Sequence, residues 1–149
     1  MASTDYRELM RHLHRAALLS ERAGERMFTR RIGIGRTQLL VLRTIAEAGD
    51  KPPTQQAIAD HLSLTKGAVS RQVDGARRHG WLEVAESPRS RREKSLRLTA
   101  AGRALLDEGL AVQREYERAT DTHISAADLA ASVRTLKTIC ELLEREEHS

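Results

Sequence analysis

The chain has 149 residues, 40% hydrophobic and 31% charged, enough for one compact domain with a dimerisation appendage and too apolar for a disordered chain. Aromatics are only 3%, so Leu, Ile, Val and Ala must do the packing; the one cysteine, Cys140, excludes an intramolecular disulfide and points to a reducing compartment. Apolar runs such as Leu39-Leu40-Val41-Leu42 are far too short to cross a bilayer, and the N-terminus lacks the apolar stretch of a signal peptide, so neither secretion nor membrane insertion is expected. The formal charge is +4, yet residues 66–97 alone hold nine basic and four acidic side chains. Such a concentrated surplus is the footprint of a polyanion-binding surface, although a solvated basic face would share it.

In chain order, Tyr6, Leu9, Met10, Leu13, Ala17, Ala23 and Met27 fall at helical spacing and predict a helix over 5–30. Asp5 and Glu8 have the separation of a capping box at its start, and Gly33 and Gly35 predict a loop over 31–36. A second helix is expected over 37–48, stopped by Gly49-Asp50 and the Lys51-Pro52-Pro53 turn. Thr54 is the expected N-cap of a short third helix ending at Leu62, and 66–79 form the fourth, stopped by Gly80 at C′. Alternation then predicts strands over 81–84 and 95–98, joined by a basic hairpin loop over 87–94. Helix returns over 99–120, and a last helix starts near Ser125, where Asp128 completes a capping-box-like pair. The fold class is therefore mainly α with a small β-hairpin.

Residues 55–73 carry the functional signal. Ile58, Leu62, Leu64, Val69 and Val73 are spaced to lock two helices across a three-residue turn, with small Ala59 where the helices would cross. That is the pattern of a helix-turn-helix, although a helical hairpin with no ligand would share the apolar spacing. Locking those residues inward leaves Lys66, Gly67, Ser70, Arg71 and Asp74 on the outer face of the second helix. A helix fits the major groove of B-DNA, where Lys or Arg can pair with guanine O6 and N7. Gly67 lowers helix propensity, and its missing side chain lets the backbone approach DNA closely. The loop that follows, Ser87-Pro88-Arg89-Ser90-Arg91-Arg92-Glu93-Lys94, suits a wing whose arginines enter a narrow, A·T-rich minor groove. Helix-turn-helix plus basic hairpin is a winged helix.

These residues resemble the MarR family of bacterial transcriptional regulators, over nearly the whole chain and most specifically over 37–102. Leu64-Thr65-Lys66-Gly67-Ala68-Val69-Ser70-Arg71-Gln72-Val73-Asp74 is similar to that family's recognition helix. His79-Gly80-Trp81-Leu82 is similar to its helix-to-strand junction, and Leu98-Thr99-Ala100-Ala101-Gly102 to its strand-to-helix exit. Arg92 falls on the arginine of the family's Asp-x-Arg wing signature, whose acidic position is Ser90 here; Ala76 replaces a larger apolar residue. The resemblance implies DNA-binding roles for Gln55, Thr65, Lys66, Gly67, Ala68, Ser70, Arg71, Arg78, Arg89, Arg91 and Arg92. It also implies three regions: an N-terminal dimerisation helix over 1–36, a winged helix-turn-helix over 37–99, and C-terminal dimerisation helices over 100–149.

The terminal helices carry the remaining signal. Leu129, Val133, Leu136, Cys140 and Leu143 form a seam widened by Ile139 and Leu142, and Tyr6, Leu9 and Leu13 mark a matching stripe on the first helix. Such seams need a partner, either within one subunit or between two; the resemblance implies a homodimer, and two recognition helices reading successive major grooves suit it. Cys140 on that seam reads as a packed small residue rather than a redox sensor. His12 and His14 are two apart and share no helix face, so no metal site is expected. His14 borders the apolar stripe and is the weak candidate for an effector pocket, which the resemblance puts where the dimer helices meet the winged-helix lobe. No nucleophile triad, phosphate-cradling glycine loop or metal-ligand cluster is visible in the sequence, so no enzyme and no cofactor is expected.

The reading that follows is a cytoplasmic, nucleoid-associated, ligand-responsive homodimeric repressor at an inverted-repeat operator in double-stranded DNA. A constitutive architectural DNA-binding protein would bind with little sequence selectivity, against which the polar outer face argues. A winged-helix protein-interaction module would place apolar residues where Lys66, Ser70 and Arg71 stand.

Overall fold

The structure, a computed structural model, describes residues 4–87 and 90–147, with side chains for all of these except 85–94. The elements follow in the order α1 (Thr4–Ile32), α2 (Arg36–Glu47), α3 (Gln55–Leu62), α4 (Lys66–Arg78), β1 (Leu82–Ser87), β2 (Ser90–Leu98), α5 (Ala100–Asp121) and α6 (Ala126–Glu147). The chain divides into two compact units, Met1–Val112 and Gln113–Ser149. Among the described residues, no helix is long and apolar enough to cross a membrane.

In the first unit the core is built on α2, α3 and α4: Val41, Leu42, Ile58 and Val69 are fully buried and Val73 nearly so. Burying each of these side chains is worth about 1.5–3 kcal/mol. α1 runs to Ile32, past the expected end, because Met27, Phe28 and Ile32 pack against this core and hold its last turn. The expected loop over 31–36 thus shrinks to 33–35, with Gly33 taking the left-handed exit at φ +74°. The expected box of Asp5 and Glu8 does not form. Asp5 already lies inside the helix, and the Glu8 carboxylate instead faces Arg11 at 3.5 Å and His12 at 3.7 Å.

The hairpin is longer than expected. Leu82 pairs with Leu98 and Val84 with Leu96, putting the apolar set of both strands on one face, and pairing continues through Glu86 and Lys94 before the register shifts at Ser87. Much of the expected loop is therefore ladder. Alternation marks a strand only where one face is buried, whereas the backbone hydrogen bonds of an extended wing need no apolar residue.

Two sequence motifs meet where the hairpin joins its flanking helices. The Thr99 N–H donates to the Trp81 carbonyl at 3.0 Å, and the Thr99 hydroxyl donates to the Gly80 carbonyl. The same hydroxyl oxygen accepts the Gly102 N–H at 3.1 Å, capping α5. A Cβ at Gly102 would run into the Trp81 carbonyl, so the absence of a side chain is what allows helix and strand to close.

In the second unit, Ser125 accepts the Asp128 N–H at 3.1 Å and donates its hydroxyl to the Asp128 carboxylate at 2.7 Å, the expected start of α6. Ile139 is the buried residue of α6, whereas Tyr116, Ile124, Leu129, Val133, Leu142 and Leu143 are exposed.

Candidate nucleic-acid interface

α3 and α4 are joined by a turn whose geometry comes from three residues. Ser63 adopts a left-handed conformation at φ 53°, Leu64 donates its N–H to the Ala59 carbonyl at 2.9 Å, and Thr65 caps α4 by accepting the Ala68 N–H at 3.1 Å. Thr54 caps α3 in the same way through Ala57. Ala59 is buried at the crossing, as its size demands, and Leu62 and Leu64 are half-buried against the core. The helix-turn-helix lock is therefore present residue by residue.

Locking Val69, Val73 and Ala76 inward turns the opposite face of α4 to solvent. Thr65, Lys66, Gly67, Arg71 and Asp74 are exposed on it, with Ser70 and Ala68 half-buried beside them. Nothing closer than an Arg71 Nη1 at 3.9 Å would meet a Cβ on Gly67, so no neighbouring side chain requires its bareness. Gln55 stands half-buried at the first residue of α3, and Arg78 is exposed in the last turn of α4. Ala76 is wholly buried, filling its position without a larger side chain. Of the wing arginines, Arg89 lies outside the described residues; Arg91 and Arg92 belong to β2 by backbone, and their side chains, like that of Ser90, lie outside the description. On the described part of the hairpin, Glu83 and Arg97 are exposed register partners.

The residues expected at a dimer seam sit on two elements. On α1, Tyr6 and Leu9 are exposed and Leu13 is half-buried; on α6, Leu129, Val133, Cys140 and Leu143 are exposed and Leu136 is half-buried. His14 is exposed on α1. Among the described residues, no group of three or more His, Cys, Asp or Glu side chains is placed to hold a metal ion.

One feature near α4 was not expected from the sequence. Glu25 of α1 accepts the Arg36 N–H at 2.8 Å and so caps α2, whose N-cap residue Gly35 has no side chain to do it. A Cβ at Gly35 would collide with that carboxylate. Beside this corner, Gln38 is buried at 8% exposure and its Nε2 has no hydrogen-bond partner among the described residues. A buried donor left unpaired costs about 1–3 kcal/mol. Opposite it, His79 donates from Nδ1 to the Gly75 carbonyl at 2.8 Å and stacks on Trp81, with centroids 4.4 Å apart and planes 13° off parallel. Gly35 was the only sequence-level hint, because Glu25 and Arg36 are too far apart along the chain for a helix-periodicity argument.

A helix-turn-helix whose second helix presents a polar outer face, followed at once by an antiparallel hairpin, defines the class: a winged helix-turn-helix. Residues 32–93 match the MarR family, so the resemblance read from the recognition helix and the helix-to-strand junction after it is borne out. A MarR/EmrR family transcriptional regulator from Acinetobacter sp. ADP1 superposes with a TM-score of 0.81 at 22% identity, over 97% of this chain and 99% of that one. A MarR family transcriptional regulator from Streptomyces coelicolor, solved in complex with DNA, superposes with a TM-score of 0.82 at 18% identity, over 96% and 94%. The PcaV transcriptional regulator from Streptomyces coelicolor, solved with its natural ligand, gives 0.72 at 17% identity, over 95% and 98%. At these identities the likeness establishes the fold. No curated protein matches the sequence.

Proposed function

We propose that the protein is a homodimeric, sequence-specific DNA-binding transcriptional regulator that represses by occupying an inverted-repeat operator and releases it in response to a small molecule. The observation that carries the DNA-binding reading is the outer face of α4. Lys66, Ser70 and Arg71 lie on a helix locked from behind by fully buried side chains, where a protein-interaction surface would be apolar. The basic hairpin follows directly, in position to act as the wing. Gln55, Thr65, Gly67, Ala68 and Arg78 are assigned supporting contacts to the phosphate backbone, and Arg89, Arg91 and Arg92 the minor groove.

A second copy of the chain is the partner that suits the apolar residues left exposed on α1 and α6, Tyr6, Leu9, Leu129, Val133 and Leu143 among them. Dimerisation places two recognition helices on half-sites about one helical turn apart. Such a protein works in the cytoplasm on the nucleoid and needs no catalytic group. The regions 1–36, 37–99 and 100–149 then serve as dimerisation helix, DNA reader and dimerisation helices.

Selection of bound sequences from a random double-stranded DNA pool tests this reading. An enriched inverted repeat supports it; retention of DNA without enrichment favours an architectural binder instead, and no retention at low salt removes nucleic acid as the partner.

A further inference from the structure

We propose that Asp74 selects cytosine at one position of each operator half-site, its carboxylate accepting the N4–H of that base in the major groove. This rests on the DNA-binding reading and deepens it by naming a base and the side chain that reads it.

Gly67, Arg71, Asp74 and Arg78 recur along α4 at helical spacing, in one row opposite the buried Val69, Val73 and Ala76. All four are exposed. Asp74 therefore stands in the middle of the surface that enters the groove. It is the one acidic residue of a helix that otherwise carries Lys66, Arg71, Arg77 and Arg78.

Arg71, Arg77 and Arg78 stand three or four residues from Asp74, the separations at which helical neighbours form ion pairs. None of them does so. Among the described residues, no hydrogen bond or ion pair reaches the Asp74 side chain. The Arg71 side chain runs back toward Gly67, where its Nη1 lies 3.9 Å from the place a Cβ would take. The Arg78 Nη2 lies 4.0 Å from the corresponding point on Gly75. Both arginines thus lean on bare glycine backbone, and the carboxylate between them stays uncovered.

An uncovered carboxylate facing DNA is repelled by phosphate whatever the sequence, so a helix built for non-specific binding would hold DNA better without it. Base edges offset that repulsion selectively, because a carboxylate only accepts hydrogen bonds. In the major groove guanine presents N7 and O6 and thymine presents O4, all acceptors that repel it. Adenine presents its N6–H beside the N7 acceptor. Cytosine presents its N4–H with no acceptor beside it, and is the base a lone carboxylate suits.

The test selects bound sequences from a random double-stranded pool with wild type, Asp74→Ala and Asp74→Asn in parallel, then competes single-base operator variants at one salt concentration. Wild type should enrich a repeat with cytosine at one position of each half-site. Asp74→Ala should lose about tenfold discrimination at that position and keep it at the others. It should also bind unrelated DNA more tightly at low salt, because a negative charge has gone. Asp74→Asn, which offers a donor and an acceptor, should move the preference at that position to adenine. Because Asp74 is exposed, both variants should keep the wild-type helix content by circular dichroism. If wild type enriches a repeat and Asp74→Ala enriches it unchanged at every position, the proposal is overturned while the DNA-binding reading stands. Uniform weakening of Asp74→Ala on all sequences also overturns it, since the carboxylate would then act by positioning an arginine. If wild type enriches no repeat, the sequence-specific reading itself fails and the proposal with it.

Discussion

Gly102 and Gly67 are both helical glycines, and replacing each by Ala should change stability in opposite directions. At Gly102 an added Cβ would lie 2.9 Å from the Trp81 carbonyl carbon and 3.1 Å from its Cα, and nearer still to its oxygen. That carbonyl cannot swing aside freely, because it accepts the Thr99 N–H at 3.0 Å and the neighbouring Gly80 carbonyl is held by the Thr99 hydroxyl. Forcing a methyl into such a contact costs about 1–3 kcal/mol, and breaking one backbone bond to relieve it about 0.5–1.5 kcal/mol more. The helix-propensity gain of Ala over Gly, about 1 kcal/mol, offsets part of this. The net loss is about 1–3 kcal/mol, which in a chain of this length lowers the unfolding midpoint by roughly 3–10 °C. At Gly67 the surroundings are open, so the same substitution keeps only the propensity gain and should raise the midpoint. Thermal melts by circular dichroism at one fixed protein concentration compare the two, since a dimer's midpoint depends on concentration. A Gly102→Ala variant that melts at or above wild type would refute the reasoning that the Trp81–Thr99–Gly102 junction closes only without a side chain.

Gly67→Ala should also bind operator DNA more weakly despite its higher midpoint, because the added methyl stands on the exposed face of α4; unchanged affinity in a binding titration would remove Gly67 from the interface. Arg71→Ala should relax selectivity at one base of each half-site by about 1–3 kcal/mol, read by competition between operator variants, and equal weakening on all sequences would make Arg71 a phosphate contact. Wild-type affinity should fall roughly 10³- to 10⁵-fold between 50 and 200 mM salt if the dimer neutralises about six to ten phosphates, and a flat salt profile would contradict the basic-window reading. Leu143 is 50% exposed in the single chain, so Leu143→Glu should leave the protomer folded and yield a monomer at micromolar concentration by sedimentation. A stable Leu143→Glu dimer would place the subunit contact elsewhere.

The amino-acid sequence by itself determined the element order, the helix-turn-helix lock and the caps at Thr54 and Ser125. These features rest on short-range rules: apolar spacing at the helical period, and a hydroxyl able to reach a backbone N–H three residues on. It also marked Lys66, Ser70 and Arg71 as an outward face, because burying Val69 and Val73 leaves them no other direction. It underestimated the hairpin, whose polar outer pairs carry no alternation, and it placed a cap at Asp5 and Glu8 where the helix had already begun. Only the tertiary structure decided how the pieces close on one another. The Glu25 cap on α2 joins residues on different helices. The bond from Thr99 to Trp81 gives a steric reason for Gly102 that no local propensity contains. The burial of Gln38 beside an open cleft depends on what α4 lays across it, and the stack of His79 on Trp81 depends on the turn made at Gly80. Such contacts arise from elements distant along the chain meeting in space, and hydrophobic periodicity, which reports only which face of each element is buried, cannot say what that face meets.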